Sequence, residues 1–220
     1  MFDSVSVIGA TGRSGLAICA RLRERGVRLL EHDGELIVLC VPDRAISEVA
    51  QRIEPGPWIC HVSGATRLAA LDPHLRRFSM HPLQTLVKWR GSDQLDGAFG
   101  AVTAETDEAR ERGVWLARTL GLEPFDLADG GRVLYHAGAM FASGYLVTLH
   151  RAAQALLELA GAPPEALLPL MRRTIDNGFE LTGPISRGDW STMDAHLAAL
   201  RERKPELEPL YVALAEATAP

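Results

Sequence analysis

The opening of the chain constrains it most. Val5-Ser6-Val7-Ile8 is a short run rich in β-branched residues, it ends in Gly9-Ala10-Thr11-Gly12-Arg13-Ser14-Gly15, and residues 16–25 read as a helix. Strand, glycine turn and helix in that order begin a dinucleotide-binding unit. The glycines let the backbone turn tightly and approach a pyrophosphate, and the helix N-terminus offers N–H groups and the positive end of its dipole to the phosphates. The spacing Gly-x-x-Gly-x-x-Gly is one residue longer before its second glycine than the common form. Gly9, Ala10, Thr11, Gly12, Arg13 and Ser14 are the candidate pyrophosphate residues. The alternative is a tight turn that uses glycine only for packing, with Arg13 a solvated first-turn side chain.

Residues 27–31 read as a second strand. Glu31 at its end stands where a carboxylate bonds the ribose 2′-OH, which would favour NAD over NADP. Only residues 31–35 separate it from Leu36-Ile37-Val38-Leu39-Cys40-Val41, a continuous apolar strand of the kind buried on both faces. A usual nucleotide-binding half has a helix and a strand in this interval, so the unit is expected to be shortened and to lack part of its adenosine pocket. Asp43 is expected to cap a helix over 44–53. Strands at 58–62, 77–80, 98–103 and 123–127, with helices at 68–71 and 105–120, continue the alternation of an open, mostly parallel sheet.

Near residue 130 the pattern changes. Residues 132–160 predict one helix of about 28 residues, with Leu134, Gly138, Phe141, Tyr145, Leu149, Ala152, Leu156 and Leu159 in a stripe. Further helices start at Pro163-Pro164, Asp189 and Pro205. The expected fold is α/β: a shortened, mostly parallel sheet over 1–129, then an all-helical domain over 130–220. The long apolar helix suggests a homodimer through the helical domain, or a face covered by the sheet domain.

Composition narrows the function classes. Net charge is -5, with acids and bases interspersed, which disfavours nucleic acid and anionic membranes. Cys19, Cys40 and Cys60 lie in apolar segments, an odd count without metal-ligand spacing, as expected for reduced thiols in a cytoplasmic protein. No basic stretch precedes the first apolar run, so no signal peptide is expected. The uncharged stretch 137–149 is too short to span a bilayer. The 7 histidines are scattered, and no metal site is expected.

The remaining candidates sit at strand ends, where ligands of open α/β sheets lie. Val41, Pro42 and Asp43 follow one apolar strand, and Ser63 and Gly64 follow another. His81 precedes Pro82 at a third; it could donate to a substrate oxygen or act as general acid, or it could be a structural histidine bonded to loop backbone. His136 falls near the start of the long helix, and Ser143 two turns later on the same side. Arg187, in the polar break 182–189, could hold a substrate carboxylate.

Together with the glycine turn, the stretches LIVLCVPDRAI, HVSGA, SMHPLQTL, YHAGAMFASGYLVTL and LTGPISRGDW span nearly the whole chain. In this order they resemble a bacterial family of Rossmann-like proteins with a helical C-terminal domain of unassigned function. The wider group is similar to ketopantoate reductase, pyrroline-5-carboxylate reductase and 6-phosphogluconate dehydrogenase-like enzymes. The resemblance implies a reductase dependent on NADP or NAD, acting on a small oxo- or imino-acid such as a ketopantoate-like substrate, and dimeric through its helical domain. The alternative is a degenerate member that binds a nucleotide or metabolite without turnover. Relatives usually carry asparagine where Gly144 stands.

Overall fold

Seven strands form a single sheet in the order β2-β1-β3-β4-β5-β6-β7. They are β1 (Ser4–Ile8), β2 (Arg28–Leu30), β3 (Leu36–Leu39), β4 (Trp58–His61), β5 (Arg77–Leu83), β6 (Phe99–Thr103) and β7 (Glu123–Asp126). The structure is a computed structural model and describes residues 1–219. The first five strands are parallel; β6 pairs antiparallel with β5, and β7 runs parallel to β6. The reversal falls where the sequence has no crossover helix. Between β5 and β6 lies only a loop with the 3-10 turn Ser92–Leu95, and antiparallel neighbours need no crossover. Buried Arg21 of α1 (Arg13–Glu24) ties that loop down, donating to Asp96 at 2.7 Å and to the Ser92 carbonyl at 2.8 Å.

Core lies on both faces, as the uninterrupted apolar β3 requires. On one face, Leu36, Val38, Cys60 and Phe78 pack with Ile18 and Leu22 of α1 and with Leu116 of α3 (Asp107–Thr119). On the other, Ile37, Leu39 and Ile59 pack with Ile46 and Ala50 of α2 (Ile46–Gln51) and with Leu68 and Leu71 of the next 3-10 turn. All three cysteines are free and buried.

The shortened edge has a specific construction. β2 and β3 flank β1, and residues 31–35 carry the chain from one to the other across the face of β1. A parallel crossover usually takes a dozen or more residues and a helix. Here the backbone itself lies against the strand. A methyl group at Gly34 would come 2.5 Å from the Ser6 nitrogen. The hydroxyls of Ser6 and Ser4, both buried, accept hydrogen bonds from the N–H groups of Gly34 (3.0 Å) and Glu35 (3.2 Å). Polar residues alternate with valine in β1 because a bare peptide chain covers that face and its donors need partners. Among the described residues no strand lies beyond β2, as the shortened reading expects.

Three elements differ from expectation. The helix expected over 132–160 is two, α4 (Arg132–Ala142) and α5 (Gly144–Leu159), with Ser143 out of helical geometry at φ -129° and ψ -73°. The break falls next to glycine, the residue least able to hold a helix together after proline. The helix expected over 44–53 is a 3-10 turn, Asp43–Ala45, followed by the short α2. Asp43 makes no side-chain cap there, because its carboxylate is engaged elsewhere. β5 also continues through His81-Pro82 to Leu83.

The chain divides into two compact units at Ser143/Gly144, so α4 belongs with the sheet. The second unit contains α5, α6 (Leu167–Asp176), α7 (Trp190–Arg203) and α8 (Glu208–Thr218). Asp189 caps α7, accepting from the Thr192 N–H at 3.2 Å. Leu167, Met193 and Leu200 are buried, whereas α5 has no buried residue, and Leu146, Val147, Leu149, Leu168 and Leu170 are exposed. No helix is long and apolar enough to cross a membrane.

Candidate functional site

The glycine turn is built from backbone contacts. Gly9 adopts φ +88°, and a methyl group there would meet the Cys40 carbonyl at 2.5 Å; one at Gly15 would meet the Gly9 carbonyl at 2.2 Å. Glycine at both positions lets the start of α1 close onto the turn and the turn onto the end of β3. Gly12 is the N-cap and donates to the Gly9 carbonyl at 2.9 Å. The N–H groups of Arg13, Ser14 and Gly15 have no partner among the described residues. Arg13 and Thr11 are exposed beside them, and the Ser14 side chain lies close to the Cys40 thiol. A turn with orphan donors, a positive dipole end and a nearby guanidinium fits a pyrophosphate. Glu31 is exposed at the end of β2.

The next strand ends carry side chains instead. The Ser63 hydroxyl donates to Asp43 Oδ2 at 2.8 Å, lies 2.9 Å from the Thr66 hydroxyl, and accepts from the N–H groups of Ala65 and Thr66. Its bonding capacity is filled within the loop, so it shapes the site and leaves ligand contact to its neighbours. Gly64 sits against two imidazoles. A methyl group there would lie 2.6 Å from His136 Cδ2 and 3.0 Å from His81 Nε2. The His81 and His136 rings are edge-to-face with centroids 6.1 Å apart.

His81 has a partner that sequence reasoning missed. Its Nδ1 is 2.7 Å from the Tyr135 hydroxyl. Tyr135 packs edge-on against His81 and Phe125, and its burial pushes the hydroxyl up to about 12, so it keeps its proton. Burial, with His136 and Arg132 close by, pushes His81 down to about 4. His61, at the end of β4 and wholly buried, is pushed down to about 3 by burial and by Arg132. Its Nδ1 accepts from the Ser63 N–H at 3.3 Å. Both imidazoles are neutral near pH 7.

Arg132 was also unforeseen. It opens α4, is completely buried, and donates to the Thr103 hydroxyl at 2.7 Å and to the Ser63 carbonyl. Both partners are neutral, and its Nε is buried without a partner. Among the described residues no carboxylate pairs with it. It clamps α4 to the ends of β4 and β6 and places a buried positive charge under His61 and His81. The only sequence signal was an arginine at the head of an apolar helix, which reads equally well as a solvated first-turn residue.

The structure therefore gathers Asp43, Ser63, Gly64, His81 and His136 at one place, with Val41 and Pro42 on the loop that reaches Asp43. The glycine turn is adjacent, against Cys40. Ser143 is not among them: its hydroxyl donates to the Ala139 carbonyl at 2.7 Å, closing the end of α4. Arg187 is exposed in the other unit, in the 3-10 turn Ile185–Arg187. Among the described residues no group of three His, Cys, Asp or Glu side chains could hold a metal ion.

Solved structures share this fold over almost their whole length. A Bacteroides fragilis protein, provisionally described as an NADP oxidoreductase, aligns with TM-score 0.83 at 22% identity, over 98% of this chain and 97% of its own. A Thermotoga maritima protein aligns with TM-score 0.76 at 21% identity, over 97% and 96%. The 1-pyrroline-5-carboxylate reductase of Streptococcus pyogenes aligns with TM-score 0.62 at 16% identity, over 98% and 96%. No curated protein sequence matches the chain. The fold is thus a shortened Rossmann-type sheet followed by helices, and through residues 98–218 the chain belongs to the family defined by the domain of unknown function DUF2520.

Proposed function

We propose that the protein is an oxidoreductase that moves a hydride between NADH or NADPH and a small oxo- or imino-acid. The observation that carries this reading is the row of features at one end of the sheet. The glycine turn with its three unpartnered N–H groups abuts the end of β3, and the Asp43, Ser63-Gly64 and His81 cluster follows on the next strands. The Bacteroides fragilis and Streptococcus pyogenes proteins, which share the fold, support it. Gly9, Ala10, Thr11, Gly12, Arg13 and Ser14 would hold the pyrophosphate. Val41, Pro42, Asp43, Ser63 and Gly64 would line the way to His81 and His136. Bound there, the nicotinamide supplies the hydride. This chain's residues bind and orient: the turn by its N–H groups, and His81 and His136 by bonding an acceptor on the substrate. Glu31 offers a carboxylate to ribose hydroxyls and would repel a 2′-phosphate, so NADH is expected to bind more tightly than NADPH. A carboxylate-holding role for Arg187 is tested by Arg187→Ala.

Fluorescence titration with NADH and NADPH, followed by turnover assays with ketopantoate and cyclic imines, tests the reading. Absence of binding at millimolar nucleotide sinks it. The bare sheet edge at β2 favours a second reading, a protein that binds a nucleotide or metabolite without turnover. Binding with no turnover on any oxo- or imino-acid selects that one. The exposed leucines of the second unit support a homodimer through this unit, and a monomer in light scattering rejects it. Three buried free thiols fit a reducing compartment, and we assign the protein to the cytoplasm on that ground.

A further inference from the structure

We propose that Tyr135 is a positioning residue that fixes His81 as its Nε2–H tautomer, so that the site presents a neutral hydrogen-bond donor to an acceptor oxygen or nitrogen of its ligand. The argument begins with one proton. The Tyr135 hydroxyl has a single hydrogen, and its one hydrogen-bond partner among the described residues is His81 Nδ1, at 2.7 Å. If the hydroxyl donates, Nδ1 is the acceptor and the imidazole hydrogen must sit on Nε2. If Nδ1–H donated instead, the hydroxyl hydrogen would be left without a protein acceptor in a half-buried position, and that arrangement is disfavoured. The tyrosine thus does for His81 what a carboxylate or backbone carbonyl does for many functional histidines, with opposite polarity: it accepts no proton from the ring and leaves no negative charge beside it.

The surroundings keep the ring neutral. The titratable and charged groups facing it are Tyr135, His136 and Arg132 from α4, Asp43 from the loop after β3, and His61 from β4. Only Asp43 is anionic, and it is held by the Ser63 hydroxyl. Buried Arg132, paired only with neutral oxygens, opposes a second positive charge at His81. Nε2 lies against Gly64, only 3.0 Å from where a methyl group would stand, so a side chain at that position would press on the ring. A donor in that position bonds a carbonyl oxygen, an imine nitrogen or a carboxylate, and rejects a ligand that offers only a donor. The tautomer follows from the geometry alone; its use on an oxo- or imino-acid rests on the oxidoreductase reading.

The test is separable from that reading. Nitrogen-15 NMR of the full chain without any ligand, with His81 assigned by comparison with His81→Gln, reports which ring nitrogen carries hydrogen. The expected result is Nε2–H with unprotonated Nδ1 from pH 6 to 8. Tyr135→Phe should lower the Nε2–H to Nδ1–H ratio about tenfold, the worth of one neutral hydrogen bond. Incorporating 3-fluorotyrosine keeps the fold and a more acidic hydroxyl donor, and should preserve the tautomer, which covers the case of a misfolded phenylalanine variant. Nδ1–H in the parent protein, or an unchanged ratio in Tyr135→Phe, overturns the proposal. If nucleotide titration fails while the tautomer is as expected, the function falls and the positioning role stands. If turnover is found, Tyr135→Phe should lower kcat and leave nucleotide affinity unchanged; a loss confined to nucleotide affinity counts against it.

Discussion

The two halves of the candidate site are made of different material. Around β1 and β2 the close approaches are of main chain to main chain, Gly9 against Cys40, Gly15 against Gly9 and Gly34 against Ser6, with the Ser4 and Ser6 hydroxyls only answering N–H groups of the crossing chain. Around β4, β5 and α4 they belong to side chains, with Asp43, Ser63, His81, Arg132 and Tyr135 each bonded to a particular partner. A surface of peptide N–H groups recognises what all phosphates share and tolerates changes in nearby side chains. A surface of interlocked side chains recognises one arrangement of donors and acceptors, and its members cannot change singly. The glycine-turn half is therefore the generic one, and any selectivity of the site is expected from the other half.

Three measurements would break or sharpen this contrast. The largest effect is expected from Arg132→Met. It removes two buried hydrogen bonds from a charged donor and leaves the Ser63 carbonyl unpaired, at a cost of about 4 kcal/mol in urea denaturation. An unchanged midpoint would mean that the side-chain network is not what holds this half together. Next comes acid. His61 and His81 are held below the ordinary value in the fold, so the unfolded chain binds their protons first as pH falls through about 6.5. Stability is full above that value and falls below it until the folded pKa values of about 3 and about 4 are reached. At pH 5.5 each histidine costs about 1.4 kcal/mol, and His61→Gln should remove its share. A stability flat from pH 7 to 5 refutes the buried neutral state. The smallest effect belongs to the main-chain half: Ser6→Ala leaves the Gly34 N–H unpaired, costing about 1 kcal/mol in the same denaturation. A loss as large as that of Arg132→Met would erase the difference between the halves.

Local chemistry made much of this readable. The glycine turn, the apolar β3, the strand ends at Val41-Pro42-Asp43 and Ser63-Gly64, and the lost unit between β2 and β3 follow from composition and spacing within a few residues. The residues that escaped depend on distant partners. Asp43 has the credentials of a helix cap, and only the arrival of Ser63 shows that its carboxylate is turned away. Tyr135 vanishes into an apolar stretch until β5 brings His81 to its hydroxyl. Ser4 and Ser6 look like breaks in a hydrophobic strand, and only the overlying chain explains them. The helix break at Ser143 lay in plain view beside Gly144, but the apolar stripe ran straight across it.

The five-residue passage across β1 also has a consequence for how the chain finds its fold. Strands that pair in parallel usually wait for a long loop to close, and the entropy of closure rises by about 0.6 kcal/mol for each doubling of loop length. Here β2, β1 and β3 are joined within the first 39 residues, with the shortest of links between the outer two. The short link itself closes no pairing, since β2 and β3 each pair with β1, but it brings β3 nearer to β1 in sequence than a full helix-and-strand unit would allow, and lower separation speeds folding. The loss of a helix and a strand, which bares one edge of the sheet, also gives the chain an N-terminal segment whose contacts are close in sequence before the rest of the sheet is built upon it.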